Sequence, residues 1–335
     1  MTIVPHTTSL VIRNDQRHVS LGRAGQIIHW GSTRPQCETR PVDLPVPERA
    51  TFIELNRTTL RLWEWGAVDD PPIVCLHGAF DHGRMWDELG PALADRGFRV
   101  VAPDLRGHGD SGRLSAGHAW QAIALDTALL ARHLGGRVGL VGHSFGGNQA
   151  LYVAAMWPEH VAWVVDIDGL GPPAGAFDQA VDLAGEASAA FEAMERLRTT
   201  APRTYPSLDD MSERRRRINV RLPDPWIDHL TRHGAIQTEG GWRWKVDPMF
   251  SIGFPGDFDL EMLAAQHAMV ECPVLVLTGS EPDTWSDLSD AEIAERVELL
   301  GGRHEVVEAA GHYAHCERPG AVLAAVDRFL AELER

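Results

Sequence analysis

Six short apolar runs alternate along the chain with segments of helical pattern, and this alternation constrains the fold more than any other feature. The runs are PIVCLHG (72–78), RVVAPDL (99–105), RVGLVGHS (137–144), VAWVVDID (161–168), CPVLVLTG (272–279) and HEVVEAAG (304–311). Residues 84–95, 117–134, a segment from about 147, 289–300 and 319–334 read as the helices between and after them. Such alternation builds right-handed βαβ units and a mainly parallel sheet with helices on both faces. TFIEL (51–55) and TTLRLWEW (58–65) precede the series as two strands joined across Asn56-Arg57. Ligands of parallel sheets bind at the carboxyl ends of the strands. Here those ends carry His77-Gly78, Asp104, Ser144, Asp168, Gly279 and Gly311-His312.

The rhythm stops between 170 and 265 and then resumes, which marks an insertion and not a second domain. Its Ala/Glu-rich stretch (176–199) and SERRRRINVRLPDPWIDHLTRHG predict a mostly helical segment over the strand ends. The expected organisation is an N-terminal arm (1–50), an α/β core (51–169 and 266–335) and a helical cap (170–265). The arm holds six arginines and four acids with no continuous apolar segment, and is expected to lie on the core with little structure of its own. A 335-residue chain that is 44% hydrophobic can bury a large core. Its net charge of −16 argues against nucleic acid and anionic membranes as partners. Cys37, Cys75, Cys272 and Cys316 are widely spaced without a CxxC, which predicts reduced thiols and a cytoplasmic setting.

Gly142-His143-Ser144-Phe145-Gly146 places one serine between glycines where a strand gives way to a helix. A nucleophile elbow needs that context: the serine is strained, strand and helix pass close beside it, and a Cβ at either flank would clash. The Phe145 amide then lies at a helix N-terminus, where free N–H groups and the dipole can hold an oxyanion. A serine hydroxyl needs a base to take its proton. Of sixteen histidines, His312 follows the last strand directly and reaches the same sheet edge. His315 and Cys316 read as structure; with His312 they lack a fourth ligand at zinc spacing. An orienting carboxylate is expected between the two, at a strand end. Asp283 in LTGSEPDTW is favoured, with Asp168 and Glu281 as alternatives and Asp166 beside Asp168. The second oxyanion donor is expected from LHGAFDHG, at the amide of Ala79 or Phe80, with Asp81 and His82 holding that loop.

HGAFDHGRMW, APDLRGHGDSG, GHSFGG, LTGSEPD and AGHYAHCERP together resemble the successive signatures of the α/β-hydrolase superfamily, from about residue 51 to the end. The resemblance implies a mostly parallel eight-stranded sheet flanked by helices, with a helical cap inserted after strand 6. It also implies Ser144, Asp283 and His312 as a triad and the Ala79 and Phe145 amides as the oxyanion hole. Within the superfamily the loop after the first parallel strand and the Arg-rich cap look most similar to serine hydrolase-like proteins and carboxylesterases. Serine at the elbow is unlike epoxide hydrolases and haloalkane dehalogenases.

The expected function is hydrolysis of a small-molecule carboxylic ester through an acyl-enzyme, with no cofactor or metal. Activity should rise from acid towards neutral pH, because His312 must be neutral to act as base. The same residues would serve C–C bond, lactone or thioester cleavage, or cofactor-free oxygen chemistry, and the fold also admits a non-catalytic ligand-binding protein. A Rossmann reading of GHGDSG (107–112) fails because no helix opens after it; Asp104 and Arg106 are expected to tie that loop. Phe80, His143, Arg217, Trp226 and Trp285 are the candidate substrate contacts. The cap residues Arg214 to Arg217, Arg221, Arg232 and Arg243, with Trp226, Trp242, Trp244 and Phe250, suit a solvated face. Alternatively, one of these arginines meets a carboxylate on a monoester substrate. The expected partner is that small molecule, with a homodimer left open.

Overall fold

The computed structural model describes residues 44–113, 119–174, 183–252, 260–281, 283–286 and 288–334. Most of the N-terminal arm, Cys37 and the start of the 176–199 stretch lie outside the described residues. The chain opens with β1 (Arg49–Leu55) and β2 (Thr58–Trp65), then β3 (Pro72–Leu76), α1 (Leu89–Ala94), β4 (Arg99–Pro103) and α2 (Ala119–His133). It continues with β5 (Val138–His143), α3 (Phe145–Met156) and β6 (Val161–Ile167). After the insertion come β9 (Val274–Gly279), α8 (Asp290–Leu299), β10 (Arg303–Val307), α9 (Ala314–Glu317) and α10 (Pro319–Leu333).

Eight strands form one sheet in the order β1-β2-β4-β3-β5-β6-β9-β10. β2 pairs antiparallel with β1 and β4, and the pairs from β4 to β10 are parallel. The central strands β3, β5 and β6 are almost wholly buried, as sheets covered on both faces require. Alternate side chains feed two cores: Ile73 and Cys75 join a cluster with Trp65, Trp86 and Phe329, while Val74 and Leu76 join one with Ile123, Leu140 and Leu151. The β1–β2 hairpin turns on Asn56 and Arg57, both with positive φ (46° and 59°), the conformation of a two-residue hairpin loop.

The insertion between β6 and β9 contains α4 (Leu183–Thr199), α5 (Leu208–Ile218), α6 (Asp224–Gly234), β7 (Ala235–Thr238), β8 (Gly241–Trp244) and α7 (Leu260–Ala268). The antiparallel β7–β8 hairpin departs from the mostly helical expectation. Its signal is AIQT-EG-GWRW, two short runs about a Glu-Gly pair. α6 does not merely cover the core but enters it: Trp226, Ile227 and Leu230 belong to the Trp65 cluster. Polar contacts seat the insertion as well. The His82 Nε2 meets the Leu230 carbonyl at 3.0 Å, and the His229 Nε2 meets the Arg84 carbonyl at 3.1 Å.

The GHGDSG loop is tied as expected. Asp104 accepts from the Gly83 and Asp110 amides at 2.7 and 2.8 Å and from the Trp63 indole at 2.9 Å. Arg106 holds Asp126 through two hydrogen bonds of 2.8 and 2.7 Å. Burial pushes the Asp104 carboxyl up to about 6 despite these donors. Asp104→Ala would orphan three donors at once and should lower unfolding free energy by about 3 kcal/mol in urea denaturation.

Candidate active site

Ser144 stands between β5 and α3 with φ 53° and ψ −120°, a conformation that costs a non-glycine residue energy. Three glycines let the surrounding backbone close on it. A Cβ on Gly142 would overlap the Gly146 carbonyl, one on Gly146 the Leu76 carbonyl, and one on Gly147 the Asp166 carboxyl. The strained residue is therefore held by close backbone packing at its flanks. Phe145 begins α3, whose first amides have no intrahelical acceptor and can serve an anion.

The loop after β3 lies against this elbow. A Cβ on Gly78 would come 2.8 Å from the His143 Nδ1 and 3.5 Å from the Ser144 Cβ. Gly78 and Asp81 close a turn through a 3.2 Å hydrogen bond, with Ala79 and Phe80 as its central residues and φ 64° at Phe80. Asp81 and His82 hold the loop from below. Asp81 is 1% exposed, pairs with Arg215 of α5 and accepts from the Tyr313 hydroxyl at 3.2 Å.

His312 follows β10 on the loop into α9. Its Nδ1 lies 2.5 Å from Asp168 Oδ2, so the carboxylate facing the ring is Asp168 and not the expected Asp283. The physical reason is the backbone: Asp168 directly follows β6 with φ 54°, its N–H bonded to the Leu277 carbonyl, and its Oδ2 reaches the His312 ring. The Ser286 hydroxyl also donates to Asp168 Oδ2. Asp283 instead accepts from the His312 backbone N–H at 3.2 Å, and its second oxygen is buried without a partner. Glu281 lies 3.9 Å from Arg221 and is exposed.

The candidate substrate contacts divide. Phe80 and Trp285 are 44% and 45% exposed, and the Trp285 indole donates to Asn219 Oδ1 at 3.1 Å. His143 is 1% exposed and its Nε2 donates to the His312 carbonyl at 2.9 Å, so it supports the His312 backbone and is not open to a ligand. Trp226 is core. Arg217 is exposed and held by Glu213 within α5. Sequence reasoning missed Arg215 as the inward arginine of the four; its four-residue spacing from buried Met211 was the available signal. His315 is buried, stacked on Trp86 with its ring nitrogens unpartnered, and burial pulls it down to about 3. Among the described residues no group of three or more His, Cys, Asp or Glu could hold a metal ion. Cys75, Cys272 and Cys316 are buried free thiols.

A family model described as "Alpha/beta hydrolase family" matches residues 73–326. The chain belongs to this family. It is 27% identical over 283 residues to a probable serine hydrolase of Drosophila melanogaster, covering 80% of this chain and 83% of that protein. It is 27% identical over 294 residues to an esterase of Mycobacterium tuberculosis, covering 85% and 90%. Among solved structures it resembles a hypothetical protein of Pseudomonas aeruginosa PAO1, with TM-score 0.75, 27% identity and coverage of 85% and 99%. The chain is thus an α/β hydrolase. No described helix is long and apolar enough to cross a membrane.

Asp166, two residues before Asp168, is fully buried under Gly147 and Gly169. Burial first, and the Asp168 charge second, raise its carboxyl well above the ordinary range. Because the unfolded chain ionises first, stability should fall as pH rises above the ordinary carboxylate range. One such group contributes a slope of at most about 1.4 kcal/mol per pH unit. Asp166→Asn should remove this slope while keeping the fold, as read by urea denaturation at pH 5, 6 and 7.

Proposed function

We propose that the protein is a serine esterase acting on small apolar esters, with Ser144 as nucleophile, His312 as general base and Asp168 as the orienting acid. The observation that carries this reading is the 2.5 Å contact between the His312 Nδ1 and Asp168, beside a strained serine at a strand-to-helix elbow. With Nδ1 held by the carboxylate, the Nε2 is left to take the Ser144 proton. Ser144 Oγ attacks the ester carbonyl, and the amides of Phe145 and Ala79 hold the resulting oxyanion. His312 returns its proton to the departing alcohol, and water activated by the same base frees the acyl group. Asp283 steadies the His312 backbone from the opposite side.

The insertion (170–265) acts as the substrate cap in this scheme. Phe250, in the short turn after β8, packs on Phe80 and Phe145 at ring distances of 5.5 and 5.1 Å and on His108 at 4.4 Å. Trp120 packs on Phe145 at 5.1 Å. Aromatic rings flanking both oxyanion segments favour an apolar acyl or alcohol group. Of the cap arginines, Arg215, Arg216, Arg217 and Arg221 offer less to a substrate carboxylate, because they are paired with the protein's own acids. The esterase and serine hydrolase named above support the same chemistry by similarity over most of the chain.

Ser144→Ala should lower kcat for a short-chain p-nitrophenyl ester by at least about 10⁴-fold with an unchanged melting temperature. Asp168→Asn should cost about 10⁴-fold in kcat, the loss seen when a triad histidine is held in the wrong tautomer, and Asp283→Asn far less. The opposite ranking would restore Asp283 as the acid. Phe250→Ala should raise KM about 10-fold for a hexanoate ester and leave the acetate nearly unaffected.

A further inference from the structure

We infer that Arg215 is a positioning residue: through Asp81 and Tyr313 it lets the docked cap set both the oxyanion loop and the loop carrying His312. The inference rests on the esterase reading and extends it to a residue of the cap.

The oxyanion loop is short and strained. Ala79 and Phe80 are the central residues of the Gly78–Asp81 turn, and Phe80 keeps φ 64° although it has a side chain. Such a conformation persists only where the surroundings over-determine it. The N-terminal end of the turn is fixed by Gly78 against His143 and Ser144. The other end is fixed by Asp81, whose two oxygens are divided between two elements. One meets the Arg215 guanidinium from α5, and the other accepts the Tyr313 hydroxyl at 3.2 Å. All three side chains are buried: Asp81 is 1% exposed, Tyr313 6% and Arg215 8%. A carboxylate so placed needs a charge partner, and the cap supplies it.

Tyr313 directly follows His312, so the same carboxylate also grips the base-bearing loop. A second cap arginine, Arg221, holds that loop from its far side. Its Nε donates to Glu317 at 3.1 Å, and Glu317 accepts from the Gly311 amide at 3.0 Å. His312 therefore sits between two cap arginines, each acting through a core acid. If Arg215 is removed, Asp81 keeps a buried charge with only a hydroxyl to satisfy it. The turn would shift to reach water, and a displacement of about 1 Å at catalytic groups costs on the order of 10²-fold in rate. The loss falls on the transition state, since the amides at stake bind the oxyanion and not the ground-state ester.

The test is kinetic. Wild type, Arg215→Ala, Arg215→Lys and Tyr313→Phe are compared in p-nitrophenyl butyrate hydrolysis, in affinity for a butyl boronic acid that mimics the tetrahedral adduct, and in melting temperature. Arg215→Ala should lower kcat about 10²-fold with KM within about 3-fold, and weaken the boronic acid in parallel. Arg215→Lys should recover most of the loss, because one guanidinium nitrogen reaches Asp81 and an ammonium can stand in its place. Tyr313→Phe keeps the ring and should lower kcat about 10-fold; it decides the question if Arg215→Ala does not fold. Arg215→Ala with a lowered melting temperature but kcat and boronic acid affinity within about 3-fold of wild type would overturn the inference, as would an indifferent Tyr313→Phe. A wild type without ester hydrolysis would overturn the esterase reading with it. An active wild type that loses activity in Ser144→Ala isolates the question to Arg215.

Discussion

Everything at the site depends on how closely α3 approaches the sheet. Ser144 can hold its unfavourable dihedrals only because β3, β5, β6 and α3 meet around it without intervening side chains. The contact of Gly146 with the Leu76 and His77 carbonyls brings the helix N-terminus against the loop that follows β3. Two segments far apart in sequence thereby meet beside Ser144. The cost of the strained residue is spread over packing that the sheet makes anyway.

The polar groups around this point form layers. Asp168 and Asp283 hold the His312 side chain and backbone respectively, and His143 holds its carbonyl. Beneath them burial holds the Asp166 carboxyl well above the ordinary carboxylate range. Two acids two residues apart thus have opposite duties, one facing an imidazole and the other filling the gap left by Gly147 and Gly169. Environment separates them, since their residue type does not.

The sheet, the elbow and the histidine were legible because each rests on a local or periodic signal: apolar runs, flanking glycines and a strand end. Most strand bounds differ by a residue or two, the end of β10 by four, and among the strands only the β7–β8 hairpin lacks a counterpart among the runs of strand pattern. Which carboxylate faces the His312 ring was not legible. β6 and β9 are parallel neighbours with Ile167 level with Leu277, so Asp168 and Asp283 both leave the sheet at its reactive edge. What distinguishes them is the positive φ at Asp168, a loop property without periodicity. The cap was legible in part. Leu222, Trp226, Ile227 and Leu230 have helical apolar spacing that marks burial, and this is why Trp226 lies in the core. Which of four consecutive arginines turns inward follows from the helix phase, but its partner in the oxyanion loop does not.

The pairing of Val164 with Val274 has a further consequence. Two adjacent strands of the central sheet are joined through roughly 110 intervening residues, yet loop-closure entropy rises only about 0.6 kcal/mol for each doubling of length. The core is therefore nearly indifferent to how long the intervening chain is. What the core does register is where that chain lands on it: an indole, a backbone carbonyl, a histidine and two guanidinium groups at fixed spots. The roof between those anchor points can therefore be lengthened or shortened at little entropic cost to the foundation beneath it.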